Sequence, residues 1–405
     1  MLHLVRLVAQ VHILSLVTIL SALITLVMHG AAHVLLTQGK SCPRGQRPIS
    51  VLRPLKGKVD ELENNLESLM VQDHPQYEVI VAAADPTDPA LEVARRVRSR
   101  YPRVPMHIVV GEWATGKNPK VRLLRKMLGR AKFDSVLISD DNVRVTPDYL
   151  AKMAGALARP GTGLVSNLVV GVGAKTVGAI CENLQLNSFV LSSVAASFLV
   201  GYPVVVGKSM LFRRAALVNA GGFGAVADVL AEDHLLGRAV HAAGYRVVTL
   251  GLPVYTVNVN WSVSRMLGRH IRWSKIRSSI APRVFPFEVL CQPLVVFALT
   301  MLAVVGFRLE LQLSKIWVTS VAMVVLVTLS EVVLAWRVQG RQFRAVHATL
   351  LPLRSVLAAV AHLASGFIPV VRWRNEIYRI GHNSRLLPVR GAMTPRSWVS
   401  IRRAA

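Results

Sequence analysis

Apolar positions along the chain follow two rhythms. Near the ends they run unbroken over membrane length. Leu4 to Leu36 is almost wholly apolar, interrupted only by Arg6, Gln10, three histidines and small hydroxyl residues, and Val289 to Phe307 and Ile316 to Trp336 are comparable runs. Between them, short apolar runs alternate with helical periodicity. Ile49–Leu52, Tyr77–Ala84, Met106–Val110, Ser135–Ser139 and Gly163–Val170 predict strands. Asp60–Met70 carries Leu62, Leu66 and Leu69 on one face and predicts a helix, as do the segment after the Asp88-Pro89 cap and Val121–Leu128. A further helix starts near Glu232 and stops at Gly244; Val247 to Val259 reads as a strand region broken by Pro253. Strands alternating with helices predict an α/β domain with a mostly parallel sheet, and such sheets bind ligands beyond the carboxyl ends of their strands.

The apolar runs also predict organisation. The first has no small-residue cleavage site after a short apolar core, so it reads as an uncleaved anchor. Lys40 to Lys58 carries six Lys or Arg residues, which places the following domain in the cytoplasm. Ser188 to Val206 is near the lower limit for a span. Crossing there would put Asp85 and Asp140 on the opposite side from Asp233, so it reads as helix plus strand inside the domain, dipping into the membrane surface. Ser355 to Val371 contains His362, Gly366 and Pro369, and crossing would export Arg372, Arg374, Arg379, Arg385 and Arg390. It reads as re-entrant or interfacial. Glu331, inside an apolar span, should face protein or a polar cavity. The expected division is an anchor over 1–37, a domain with interfacial helices over 38–285, a membrane region over 286–371 and a basic cytoplasmic tail over 372–405. That is a multi-pass protein of a cell inner membrane, with its domain facing the cytoplasm.

Composition sharpens this picture. The chain has 405 residues, 52% of them hydrophobic, yet 48 Lys and Arg against 22 Asp and Glu leave a net charge of +26. Such a balance calls for an anionic partner. There is no long basic tract and no zinc-finger spacing, so the bilayer surface is the expected partner and nucleic acid is not. Cys42, Cys181 and Cys291 form neither a metal spacing nor a disulfide framework, as suits a reducing compartment.

Three acids stand where ligands bind. Asp85 follows one predicted strand and could accept hydrogen bonds from a base or ribose, although Asp85-Pro86 is also an ordinary turn signal. Asp140-Asp141-Asn142 ends another strand. Hard divalent cations such as Mg²⁺ or Mn²⁺ take oxygen ligands, and two carboxylates suffice when substrate phosphates supply the rest; a solvated turn is the alternative. Asp233, in the first turn of its helix, would be kept ionised by the helix dipole, as a base must be. Arg269-His270-Ile271-Arg272-Trp273 sets two arginines on one helical face. They could grip a diphosphate bidentately while Trp273 stacks on a sugar, or the helix could simply lie at the bilayer interface. Asn118-Pro119-Lys120 could seat uracil or phosphate, or be a loop before a helix.

Together these pieces resemble the ceramide glucosyltransferase family, glycosyltransferase family 21, including its bacterial members. The residues carrying the resemblance are Arg53-Pro54-Leu55-Lys56-Gly57, Asn65-Leu66-Glu67-Ser68, Gln72-Asp73-His74-Pro75, Asp85 with Asp88-Pro89-Ala90, Asn118-Pro119-Lys120, Ser139 to Val145, Ala231-Glu232-Asp233 and the Arg-x-x-Arg-Trp cluster. The resemblance implies a GT-A nucleotide-sugar fold and an inverting, metal-dependent transfer of glucose from UDP-glucose to a lipid hydroxyl such as that of ceramide. It implies that Asp85 helps seat the uridine, that Asn118 and Lys120 lie near the nucleotide, and that Asp140, with Asp141, binds metal and diphosphate. It makes Asp233 the acceptor base, and gives Arg269, Arg272 and Trp273 the diphosphate and the acceptor site. A related bacterial group transfers N-acetylglucosamine to hopanoid lipids with most of these motifs. Processive polysaccharide synthases share the acids but usually carry a larger membrane channel. The middle segment, Asn187 to Met210, is more apolar than in the animal members.

Overall fold

Eight strands make one mixed sheet: β1 (Ile49–Pro54), β2 (Tyr77–Ala83), β3 (Met106–Val110), β4 (Ser135–Ser139), β5 (Val143–Arg144), β6 (Thr162–Val172), β7 (Ser209–Arg213) and β8 (Arg246–Val257). Their order is β3-β2-β1-β4-β7-β6-β8-β5. β1 to β4 run parallel, as do β6 and β8, while β7 enters antiparallel to both β4 and β6 and β5 lies antiparallel to β8. This computed structural model describes residues 2–306, 315–368, 370–373 and 376–389. Phe307, Pro369, Arg374 and Arg390 lie outside the described residues.

Both faces of the sheet are covered, which explains the near-continuous apolar strands. Side chains alternate across β1. Ile49 and Val51 join a core with Leu66, Leu69, Leu91 and Val97 from the helices Leu62–Met70 and Pro89–Arg100. Leu52 joins the opposite core with Ile138, Phe212 and Val121, Leu124 and Met127 of the helix Pro119–Leu128. Fully burying each such leucine contributes about 1.5–3 kcal/mol.

Two strand expectations change. β8 is not broken at Pro253. Leu250 pairs with Asn167 and Val254 with Val169, so β8 advances from 250 to 254 while β6 advances from 167 to 169. The bulge takes Pro253 out of the ladder, and Asn167 Nδ2 donates to Leu252 O at 2.9 Å within it. Between Ser188 and Val206 the helix is present, as a π-helical turn Leu186–Val190 running into Leu191–Leu199. The strand comes later, at β7. Leu191, Val194 and Ala195 pack against Ala32, Leu35 and Leu36 of the N-terminal helix Leu2–Lys40.

Among the described residues two helices are long and apolar enough to cross a membrane, within Leu2–Lys40 and Lys315–Gln342. The run from Val289 is bent: the 3-10 helix Phe285–Cys291 meets the helix beginning at Pro293 at 87°. The N-terminal helix lies on β8 back to back, glycine on glycine. A Cβ on Gly251 would stand 1.7 Å from Leu35 O, and one on Gly39 2.1 Å from the Gly251 carbonyl carbon. Glu331 is buried and pairs with Arg354, whose guanidinium also donates to Gln185 Oε1 at 3.1 Å and Gln292 Oε1 at 3.3 Å. It faces protein, as its place in an apolar span demands.

The helix Leu351–Phe367 packs along the helix Val263–Ile280. The chain then forms a small antiparallel sheet, β9 (Val370–Trp373), β10 (Glu376–Ile380) and β11 (Leu386–Pro388). This sheet seats on the domain. Leu386 N–H donates to Asp228 O at 2.8 Å, Leu230 N–H to Ser384 O at 2.9 Å, and Lys117 Nζ to Leu386 O at 3.1 Å. The start of the stretch expected as a tail is therefore folded onto the domain through Pro388.

Candidate active site

Acids and cations gather beyond the carboxyl end of β4. Ser139 ends that strand, and the Asp140-Asp141-Asn142 turn closes with Val143 N–H donating to Asp140 O at 3.2 Å. Arg53 of β1 lies fully buried beneath the turn. Its Nη2 donates to Asp141 O at 2.9 Å and Val143 O at 2.5 Å, and burial lowers its pKa to about 10 against the pull of Asp141 and Asp140. Two backbone carbonyls are thus held by one cation, which fixes where the two carboxylates project.

Each oxygen of Asp140 meets an ammonium. Lys120 Nζ lies 2.9 Å from Oδ1 and Lys208 Nζ 2.9 Å from Oδ2; Lys208 also donates to Asn142 Oδ1 at 2.8 Å. Burial alone would raise the Asp140 carboxyl, but Lys120 and Lys208 hold it well below the usual carboxylate range. Asp141 is the opposite case: burial and its neighbour Asp140 push it up, and Lys208 and Arg53 offset this only in part.

Lys120 joins β4 to the Glu232 helix. Its Nζ also pairs with Glu232 Oε1 at 3.1 Å and donates to Gly207 O at 3.2 Å. Burial would lower this ammonium, but Asp140, Glu232 and Asp233 raise it well above its ordinary value. Asn118 is the strut behind it. Its Oδ1 caps the helix Pro119–Leu128, accepting from Lys120 N and Val121 N at 2.9 and 3.1 Å, while its Nδ2 donates to Glu232 Oε2 at 3.1 Å and Val229 O at 2.9 Å. Asn118 is wholly buried, so both ends of its amide serve the scaffold.

Asp233 points to the loop before β7. Gly207 N–H donates to its Oδ2 at 2.6 Å, and His234 N–H to its Oδ1 at 2.8 Å. A Cβ on Gly207 would stand 2.8 Å from that Oδ2, so only glycine lets the backbone approach. The dipole argument for Asp233 needs correcting. Burial dominates and its carboxyl is pushed up, despite Lys120 and the two N–H donors.

The helix Val263–Ile280 presents the arginines. Arg269 Nη1 pairs with Glu182 Oε1 at 2.7 Å, and its guanidinium lies 4.2 Å from the Trp261 ring and 5.4 Å from that of Trp273. His270 Nε2 meets the other oxygen, Glu182 Oε2, at 2.9 Å, and its ring meets Trp273 edge-on at 5.4 Å. Glu182 is buried, yet Arg269 and His270 bring it down to about 2. Arg272 is lowered to about 10 by burial and by Arg269, with Glu232 and Glu182 pulling the other way. It is therefore close enough to feel both acid clusters.

Asp85 stands apart from these contacts. It is fully exposed, and its Oδ1 accepts from Thr87 N at 2.8 Å and Thr87 Oγ at 2.6 Å, a turn that lowers its pKa. Asp88 beside it caps the helix through Ala90 N at 2.9 Å and receives the Gly57 N–H at 3.0 Å. Among the described residues no group of three or more His, Cys, Asp and Glu side chains converges on a cation position.

Lys208 and Glu182 were not singled out from sequence. Glu182 does carry a signal, being the sole acid between Asp148 and Asp228, in an apolar stretch where a carboxylate must find a cation. Lys208 has none beyond a Gly-Lys pair before an apolar run.

With this geometry in place, the match to known proteins is decisive. The model of glycosyl transferase family 21 matches residues 11–386. The chain belongs to that family. It is a glycosyltransferase, and its α/β domain with acids at strand ends is the GT-A fold the motifs imply. A relative from Caenorhabditis elegans, ceramide glucosyltransferase 3, is 24% identical over 84% of this chain and 74% of its own length. Ceramide glucosyltransferase 1 of the same organism is 26% identical over 60% of the chain and 52% of its own. The ceramide glucosyltransferase of Komagataella phaffii is 30% identical over 42% and 38%. Among solved structures, this glycosyltransferase is similar to a mannosyltransferase from Pyrobaculum calidifontis in complex with GDP-Man and Mn²⁺, at 19% identity and a TM-score of 0.43, covering 86% of this chain and 99% of that one. It is also similar to a glucosyl-3-phosphoglycerate synthase from Mycobacterium tuberculosis with Mn²⁺ and UDP, at 17% identity and a TM-score of 0.37, covering 58% and 78%.

Proposed function

We propose that this chain moves glucose from UDP-glucose to the hydroxyl of a membrane lipid, with ceramide as the acceptor and inversion at the anomeric carbon. The observation that carries the reading is the cluster of Asp140, Lys120, Glu232, Asp233 and Lys208 at the strand ends, together with the Arg269–Arg272 helix, which packs along the apolar helix Leu351–Phe367. The family names of the relatives supply the substrate class.

In this reading Asp233 takes the proton of the acceptor hydroxyl. The hydroxyl oxygen forms a bond to the anomeric carbon as the bond from that carbon to the diphosphate oxygen breaks, and UDP leaves. Gly207 N–H and His234 N–H hold the carboxylate in place, and its raised pKa brings it closer to the value a base needs near neutral pH. Arg269, Arg272 and Lys208 neutralise the departing diphosphate, and Trp273 walls the acceptor side. Asp85 seats the uridine from its exposed turn. Asn118 positions Lys120, which reaches the nucleotide side of the cluster.

Of the Asp140-Asp141 pair, Asp141 is the carboxylate that would hold Mg²⁺ or Mn²⁺, since both oxygens of Asp140 already meet Lys120 and Lys208. Asp141 is the carboxylate short of positive charge, pushed up by burial and by Asp140. Hard oxygen donors from one or two carboxylates suffice for such an ion when phosphates complete its shell. When bound, it would neutralise diphosphate charge. The basic surface would hold the domain on the cytoplasmic face of an anionic inner membrane.

The test is transfer by purified protein in lipid nanodiscs, offering labelled UDP-glucose and UDP-N-acetylglucosamine against ceramide and hopanoid acceptors, with and without Mn²⁺ or Mg²⁺. Glucosylceramide made only with the metal present is the expected product. A hexosamine-bearing hopanoid would transfer the reading to that acceptor class, and no glycolipid from any pair would overturn it.

A further inference from the structure

The loop that leads into Asp233 is held by a segment far along the chain. Ala231 starts the helix Glu232–Ala242 and has no side chain to fix how the backbone enters it. The donors just before the helix go instead to one residue 153 positions away. Ala231 N–H donates to Ser384 Oγ at 3.1 Å, and Leu230 N–H to Ser384 O at 2.9 Å. Arg385 bridges Val229 in the antiparallel sense, and Leu386 N–H donates to Asp228 O at 2.8 Å. The chain at 228–231 is thus paired edge to edge with 384–386, two residues short of the proposed base.

The same seat reaches two other parts of the site. Asp228 Oδ1 accepts from Lys117 N at 2.9 Å, Lys117 Nζ donates to Leu386 O at 3.1 Å, and the Tyr378 hydroxyl donates to Lys117 O at 3.4 Å. Lys117 immediately precedes Asn118 and the Lys120 helix. On the apolar side, Leu230 packs with Val371, Tyr378 and Leu386, and Ile276 of the arginine-bearing helix packs against that cluster. The small sheet therefore touches the Asp233 loop, the Lys120 loop and the Arg269–Arg272 helix together.

Ser384 holds its place in an unusual conformation. It is wholly buried, and both it and Asn383 are left-handed, with φ of +56° and +51°. Glycine would adopt that backbone more readily and would lack only the hydroxyl. A buried serine there supplies an oxygen that glycine cannot, and the Ala231 N–H takes it.

We infer that Ser384 is a positioning residue of the transferase: by accepting the Leu230 and Ala231 N–H groups it sets the start of the helix that carries Asp233, so the sheet β9–β11 completes the active site instead of trailing from it. The inference rests on the reading of Asp233 as the acceptor base and adds what fixes that base from outside its own domain.

The experiment uses the full chain in lipid nanodiscs. Ser384→Gly keeps the left-handed backbone and removes the hydroxyl. Asn383→Gly, at the partly exposed neighbour, makes the same backbone change and leaves the hydroxyl in place. Ser384→Gly should unfold at the parent temperature and bind UDP with an unchanged Kd. Its kcat per UDP-binding site should fall at least about tenfold, and Asn383→Gly should turn over like the parent. Hydrogen exchange of peptides spanning 228–236 should quicken about tenfold in Ser384→Gly alone, with those of β1 and β4 unmoved. Normal turnover per UDP-binding site in Ser384→Gly, even at a lowered unfolding temperature, would make the residue merely structural and overturn the inference. So would an equal loss in Asn383→Gly, or a loss without faster exchange. Faster exchange at 228–236, in a protein whose parent form glycosylates no lipid, would support the hold on the helix start and remove the transfer reading.

Discussion

Asp233 shows how two local effects compete at one residue. Its first-turn position exposes it to the positive end of a helix, an effect worth about 0.3–1 kcal/mol for a carboxylate. Burial works against that and wins, so its pKa rises above the ordinary 3.8. The sign follows from linkage. The folded state binds the proton more tightly than the unfolded chain, so stability is lost as pH rises from 3.8 through the folded value. At neutral pH the ionised base is a liability to folding that the proposed function requires. Asp233→Asn should keep its affinity for UDP-glucose. It should lose transfer by a factor of about 10²–10⁴. In the parent, the acid limb of kcat/KM should lie above pH 3.8, the rate rising with pH as the base ionises. Near-normal turnover by the variant would remove Asp233 as the base. Asn118-Pro119-Lys120 was legible as a loop before a helix because helix starts are written locally, and Asn118 proves to be its cap. Lys208 and Glu182 were not, because their partners Asp140, Arg269 and His270 lie far along the chain.

Elements that follow local chemistry appear where the hydrophobic pattern puts them. β1 to β4 and β6, the Asp88-capped helix and the Gly244 stop are all of this kind. Gly244 adopts φ +85°, a conformation that other residues adopt only at a cost. Pro253 misleads because a proline in a strand usually ends it; here the neighbouring strand makes room through a bulge, a matter of pairing rather than propensity. The same holds for Gly39 and Gly251, which look like flexible points in sequence but are the contact where the N-terminal helix meets β8. Gly251→Ala should be strongly destabilising, by about 1–3 kcal/mol or more, because backbone rather than a side chain would have to move. Thermal unfolding in detergent should show it, while Gly268→Ala, with open space around it, should unfold at the parent temperature. Equal melting of the two variants would refute the packing role.

At the scale of the whole molecule, charge and apolar runs act together. A net charge of +26 indicates an anionic partner and not a fold. The domain is tied to its membrane-length helices at two places, the N-terminal helix on β8 and the Glu331–Arg354 pair beside Gln185, and the three-stranded sheet seats on it at Asp228 and Leu230. The positive-inside rule predicts that the domain faces the cytoplasm. Asp134 is exposed on the domain, and a cysteine there should react with a membrane-impermeant thiol reagent in inside-out vesicles, above the parent background, and not in right-side-out ones. Labelling only in right-side-out vesicles would invert the proposed topology.

The amino-acid sequence alone was enough for the alternation of strand and helix, the membrane-length runs, the order of the three acids and the Arg-x-x-Arg-Trp cluster, and through them the family. These are periodicities and spacings, written along the chain. Tertiary structure decided which charges meet. It set Lys120 between Asp140 and Glu232, gave Asp233 to the Gly207 backbone, and joined Arg269 and His270 through Glu182. It left Asp85 on its own turn and brought Ser384 to the start of the Asp233 helix. Each depends on burial and on contacts between distant segments, and a buried charge takes its pKa and its partner from what surrounds it rather than from its neighbours in the chain.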